Sequence, residues 1–168
     1  MVNRLFEAIK KDNALAITEL IANGVDVNDE DEKGNSALTV ASNYDRLTIV
    51  GLLLGNGAEV NFASPTGGTA LMAACSFGRK ELVQLLLTYG ATVDNIEEAS
   101  GFPAIVWAVV VGRNNIMDLL IQNGANVNLT EVQRQKIVRV IGPWINGNPE
   151  QDTTVRDNMH PRRTIQRL

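Results

Sequence analysis

Apolar positions fall in short clusters separated by glycine and polar turns, and one stretch shows the scheme clearly. Gly67-Gly68 permits a tight turn with positive φ, Thr69 can N-cap a helix over Ala70–Ser76, and Gly78 breaks that helix. A second helix is predicted over Lys80–Thr88, where Leu82, Val83, Leu85, Leu86 and Leu87 form a wide apolar face. Gly90 then closes it as a left-handed C′ residue. Helices this short are marginal alone, so their apolar faces require burial by a neighbouring unit.

The neighbours are visible as a repeat. Asn23-Gly24-Val25-Asp26-Val27-Asn28 returns as Asn56-Gly57-Ala58-Glu59-Val60-Asn61, Tyr89-Gly90-Ala91-Thr92-Val93-Asp94 and Asn123-Gly124-Ala125-Asn126-Val127-Asn128. The glycines are spaced by 33, 33 and 34 residues. Gly34, Gly67 and Gly101 keep the same step, as do Ala41, Ala74 and Ala108, and Asp12, Asp45, Gly78 and Gly112. The extra residue falls among Asn95–Ser100, between units, where an insertion costs little. The pattern predicts an all-α repeat solenoid of about four units, approximately 1–30, 31–63, 64–96 and 97–128, each a helix-turn-helix plus a hairpin loop.

These columns resemble the ankyrin repeat, whose consensus runs roughly D-x-x-G-x-T-P-L-H-x-A-A, a glycine-containing turn, then I/V-V-x-x-L-L-x-x-G-A-x-V-N. The resemblance covers residues 4–128. Asp31 to Leu38 and Gly67 to Leu71 match the opening; Ile49 to Leu54 and Leu82 to Leu87 match the second helix. The family's histidine is replaced by Thr39, Met72 and Val106, which predicts weaker hydrogen bonding between repeats. Pro103 cannot cap with a side-chain oxygen, so the fourth unit is expected to be the least regular. The first unit lacks a leading hairpin and begins directly near Leu5-Phe6-Glu7, as an N-terminal capping unit would.

The resemblance implies a protein partner bound on the concave side, by hairpin tips and first-helix ends. Carried over column by column, the implied partner-binding residues are Glu32, Lys33 and Asn35, then Asn43 and Tyr44, then Thr66, Ser76 and Phe77, then Phe102, Val110 and Val111. Tyr44, Phe77, Phe102, Val110 and Val111 would form a partly exposed apolar stripe across three units; an alternative is that Phe77 and Val111 pack between units. Trp107 falls on the buried column. The resemblance also implies possible hydroxylation of Asn28, Asn61 and Asn128, each eight residues after a leucine; the competing reading is that they hydrogen-bond the hairpin loop.

Composition fits this picture. The chain has 168 residues, of which 45% are apolar and 20% charged, an ordinary globular balance. No apolar run is long enough to span a bilayer and no secretory signal is read at the N-terminus, so a cytoplasmic or nuclear setting is expected. One cysteine, Cys75, and one histidine, His160, exclude a Cys/His metal site within one chain; Cys75 reads as a packed core thiol and His160 as a solvated side chain. H-E-x-x-H, G-x-S-x-G and G-x-x-x-x-G-K are all absent, so no catalytic residue, metal or cofactor is expected and the chain is not read as an enzyme. The Asp29–Glu32 carboxylate run lacks EF-hand spacing and reads as a solvated hairpin tip.

Residues 1–128 carry eight basic and fifteen acidic side chains; residues 129–168 carry seven and four. The acidic body argues against nucleic-acid binding, with only Arg156, Arg162, Arg163 and Arg167 clustered in the tail. A helix over Glu131–Ile141, with a loop to residue 145, is expected to cap the fourth unit, and 146–168 reads as a polar, mildly basic tail. The expected function is a protein-interaction scaffold or adaptor, a monomer or weak homo-oligomer. The alternative is a regulatory or inhibitory subunit of an enzyme, acting partly through the tail.

Overall fold

The computed structural model describes residues 2–98, 100–128, 130–132, 135 and 139. It divides into two units, Met1–Val127 and Asn128–Leu168. In the first, the elements run α1 (Val2–Lys10), α2 (Ala14–Ala22), α3 (Ala37–Asn43), α4 (Leu47–Gly55), α5 (Ala70–Ser76), α6 (Lys80–Thr88), β1 (Ile96–Glu97), β2 (Phe102–Pro103), α7 (Ala104–Val110) and α8 (Asn114–Gln122). Each first helix packs on the second helix that follows it. The first helices also stack in the order α1, α3, α5, α7, and the second helices in the order α2, α4, α6, α8. The result is a two-layer helical solenoid, and α5 and α6 have the bounds that the turn and cap signals predict.

Side-chain size explains the layering. The first helices bury alanines at matching positions, Ala37, Ala70 and Ala104, then Ala41, Ala74 and Ala108, which lets adjacent backbones approach. The second helices supply the bulk: Ile49, Leu53, Leu82, Leu86, Ile116 and Leu120 are buried. The column where the family carries histidine is filled by packing, with Met72 and Val106 buried and Thr39 Oγ1 accepting a hydrogen bond from Ser36 Oγ within its own unit at 3.1 Å.

Each of α1 to α8 ends by the same device. After α4, the amide of Ala58 reaches Leu53 O at 3.0 Å and that of Gly57 reaches Leu54 O at 3.1 Å, a Schellman closure with Gly57 at φ +88°. First helices close alike through Asp12, Asp45, Gly78 and Gly112, all at φ between +57° and +67°. Ser36 and Thr69 accept hydrogen bonds from Thr39 N and Met72 N as N-caps of α3 and α5, whereas Pro103 leaves α7 without a side-chain cap. The expected irregularity of the fourth unit is therefore real. Its loop also contains the one strand pair among the described residues, Ile96 opposite Pro103 and Glu97 opposite Phe102.

The loops are tied in series. Asn28 accepts from Glu59 N at 2.8 Å and donates to Gly57 O at 3.3 Å; Asn61 does the same to Thr92 N at 2.7 Å and Gly90 O at 3.1 Å. At the third junction the residue is Asp94, which accepts from Asn126 N at 2.8 Å. A carboxylate has no proton for the carbonyl that the asparagines reach in the other units. Asp94→Asn should restore that bond and stabilise the chain by about 0.5–1.5 kcal/mol, read as a higher denaturation midpoint.

In the second unit, Glu131, Val132, Gln135 and Arg139 are helical, and Gln135 Nε2 donates to Glu131 Oε1 at 3.2 Å. The rest of the expected capping helix, its loop and the 146–168 tail, with His160 and the four clustered arginines, lie outside the described residues.

Candidate functional site

Two rows of chain define the surface that the repeat pattern points to: the hairpin tips and the ends of the first helices. The tips touch one another in sequence. A Cβ at Gly34 would lie 2.6 Å from Pro65 Cγ, and one at Gly67 would lie 2.6 Å from the amide nitrogen of Glu98. Glu98 N donates to Thr66 O at 3.1 Å, so the tips form one continuous row.

The first tip is built by Asp31. Its Oδ1 accepts from the amides of Lys33 and Asn35, both at 2.9 Å, and Asn35 Nδ2 reaches both of its oxygens at 3.1–3.2 Å. Burial alone would raise the Asp31 pKa, but the hydrogen bonds from Asn35 and Lys33 and the Lys33 charge together outweigh it and hold the carboxyl below its ordinary 3.8. Asp31 is thus a structural acceptor rather than a free carboxylate. Glu32 and Lys33 are exposed beside it and Asn35 is half-buried. In the second tip Thr66 is exposed, with its hydroxyl 3.0 Å from Ser64 Oγ.

The charge of residues 1–128 sits on this row. The loops 24–36, 57–68 and 90–103 hold nine acidic side chains and one basic one, whereas the remaining residues hold six and seven. The helical layers are therefore close to neutral.

At the first-helix ends, Tyr44 is 41% exposed as the C-cap of α3. Asn43, Ser76, Phe77, Val110 and Val111 are half-buried, and Ser76 Oγ donates to Ala73 O at 2.9 Å. Phe102 does not belong with them. It is 2% exposed, because pairing with Glu97 turns its ring inward, edge-on to Trp107 with centroids 5.9 Å apart. Its assignment to the exposed stripe is corrected: it is core. Trp107, expected in the core, is half-buried. Val109, absent from the expected stripe, is 37% exposed.

Sequence reading also missed a ladder of charge along the first-helix ends. Arg46 Nη1 lies 3.2 Å from Asp12 Oδ2, while Nη2 donates to Lys10 O at 3.1 Å, at the end of α1. Arg79 Nε lies 3.2 Å from Asp45 Oδ2. That N–H makes no aligned hydrogen bond, so this contact is Coulombic. The signal was available: Arg46, Arg79 and Arg113 each follow a member of the Asp/Gly column, at spacings of 33 and 34.

The amides of Asn28 and Asn61 are engaged with the following loop, as described above; Asn128 opens the second unit. Cys75 is buried, and burial pushes its thiol up to about 12, where it is neither nucleophile nor ligand. An open groove of about 440 Å³ lies beside α1, lined by Arg4, Glu7, Ala8, Lys11, Asn13 and Ala16. Two of its charges partly offset each other, since Lys11 lies 4.0 Å from Glu7, which also meets Lys10, outside the lining, at 3.5 Å. No three His, Cys, Asp or Glu side chains converge as a metal site among the described residues, and no described helix is long and apolar enough to cross a membrane.

The family model for ankyrin repeats, in three copies, matches residues 41–131. No curated protein matches the chain significantly. The pair α1 and α2 lies ahead of the matched residues yet stacks on α3 and α4 in the same manner, which extends the array by one unit. With the family model spanning more than half of the sequence and the helix pairs, turns and loops of the structure repeating in the same period, this chain belongs to the ankyrin-repeat family.

Proposed function

We propose that this protein is a non-enzymatic interaction scaffold or adaptor that holds a partner protein against its hairpin tips and first-helix ends. Ankyrin repeats are generally protein–protein interaction modules. The observation that carries the reading is the exposure of Tyr44 in a row with Phe77, Val110 and Val111, beside exposed polar tips at Glu32, Lys33 and Thr66. Asn35, Asn43 and Ser76 complete the contact surface. Amphipathic aromatic side chains at the edge of a rigid scaffold supply contact area at little entropic cost.

Affinity capture from the source cell, with wild type beside Tyr44→Ala/Phe77→Ala, tests the surface. The double variant is expected to lose the captured partner while keeping the wild-type circular dichroism. Phe77 is half-buried, so Tyr44→Ala with Lys33→Ala serves as the second variant, in which no buried group is cut. Undiminished capture by both would place the interface elsewhere.

A further inference from the structure

The arginine ladder is completed by this chain at two rungs and not at the third. Arg46 meets Asp12 and Arg79 meets Asp45, each carboxylate coming from the left-handed residue that closes the preceding unit's first helix. At the third rung that residue is Gly78, at φ +67°, and the Arg113 side chain lies over it: a Cβ there would be 2.6 Å from Arg113 Nε. Arg113 therefore approaches the preceding unit as its counterparts do and finds no side chain. It has no ion pair among the described residues, and it is exposed where Arg46 and Arg79 are half-buried.

We infer that Arg113 is a specificity-determining contact, and that the partner supplies the missing carboxylate from an Asp or Glu side chain set against the exposed Arg113 guanidinium. This rests on the reading of the first-helix ends as the partner surface. Phe77 precedes Gly78 in the chain and Val111 stands two residues before Arg113, so the guanidinium belongs to the same row as the apolar stripe. The occupant is thus an acidic side chain beside an apolar one. A guanidinium fork takes a carboxylate through two parallel N–H···O contacts, and the Arg113 side chain, lying over Gly78, is exposed to receive one. The acidity of the hairpin row does not oppose this, because the helical layers carry seven basic against six acidic side chains. The two filled rungs show that an aspartate is compatible with this left-handed position, Asp12 at φ +57° and Asp45 at +58°.

The test is a random 12-residue peptide library displayed on phage and panned against the full chain, keeping peptides whose binding Tyr44→Ala abolishes. Those peptides should share an Asp or Glu next to an apolar residue. One of them, made synthetically, should bind about tenfold or more weakly to Arg113→Gln. Gly78→Asp should weaken the same peptide comparably while the circular dichroism at the assay temperature stays that of wild type, because the Arg113 side chain shifts to meet the new carboxylate and the ladder is then closed from within. Retention of binding by Arg113→Lys to an intermediate degree would support a charge contact over a packing one. Peptides without a shared acidic position, or indifferent to both Arg113→Gln and Gly78→Asp, overturn the assignment while leaving the interaction surface standing. A library that yields no peptide sensitive to Tyr44→Ala overturns the interaction surface itself and the assignment with it.

Discussion

Leu53→Ala should cost about 2–5 kcal/mol, among the largest losses expected from one truncation in this chain. Leu53 is fully buried in α4, a helix packed between α2 and α6. Removing its isopropyl group leaves a void that α2 and α6 cannot close without shifting their own buried Ile17, Leu82 and Leu86. Domains of this size have a total stability of about 5–15 kcal/mol, so the loss is a large share of what holds the array folded. In a solenoid each unit is stabilised through its neighbours, so a void in the second unit weakens two junctions at once. The check is urea unfolding of wild type and variant, with Leu15→Ala as the control. Leu15 is 80% exposed, and its truncation should move the midpoint by no more than about 0.5 kcal/mol. Equal shifts for the two substitutions would mean that the second-helix layer is not the core.

That layer was legible in the sequence because period and residue type agreed. The leucine and isoleucine columns recur at 33–34 residues, and glycines mark each boundary, so helices such as α5 and α6 follow residue by residue from cap to C′. Exposure within a column was less legible. Ser42 and Cys75 are wholly buried, yet Val109 at the equivalent position is 37% exposed, and the period alone treats all three alike. Phe102 failed for a local reason. It follows the inserted residue, in a loop that pairs as β1 and β2, and strand pairing, not helical phase, sets the direction of its ring. The arginine ladder failed for a different one. Asp12, Asp45, Gly78 and Gly112 stand in the sequence as one column of the period, and nothing local to that column carries the aspartate carboxylates across the unit boundary to the guanidiniums they meet.

Glycine substitutions separate the two things a glycine can do here, and Gly67→Ala should be the most damaging of them. Gly57 and Gly67 have nearly the same φ, +88° and +83°, so each costs an L residue about 1–2 kcal/mol for left-handed backbone. At Gly57 an added Cβ meets nothing within 4 Å, and the penalty ends there. At Gly67 it would lie 2.6 Å from Glu98 N, 3.1 Å from Glu97 Cα and 3.2 Å from Ile96 O. These are backbone atoms, so they cannot swing aside as a side chain would. The fourth hairpin must move away, and the Glu98 N to Thr66 O bond of 3.1 Å is lost with it. The expected total is about 3 kcal/mol or more, the backbone term plus one broken loop hydrogen bond and the displacement of β1. Gly34→Ala should fall between the two, since the atoms it meets, Pro65 Cγ and Cδ at 2.6 and 2.7 Å, belong to a ring that can pucker. Hydrogen exchange provides the specific readout: in Gly67→Ala the Glu98 amide should lose protection relative to wild type, while in Gly57→Ala it should not. If Gly57→Ala and Gly67→Ala prove equally costly, the hairpin tips are not stacked closely enough to act as one surface, and the continuous row on which partner binding is proposed breaks into separate loops.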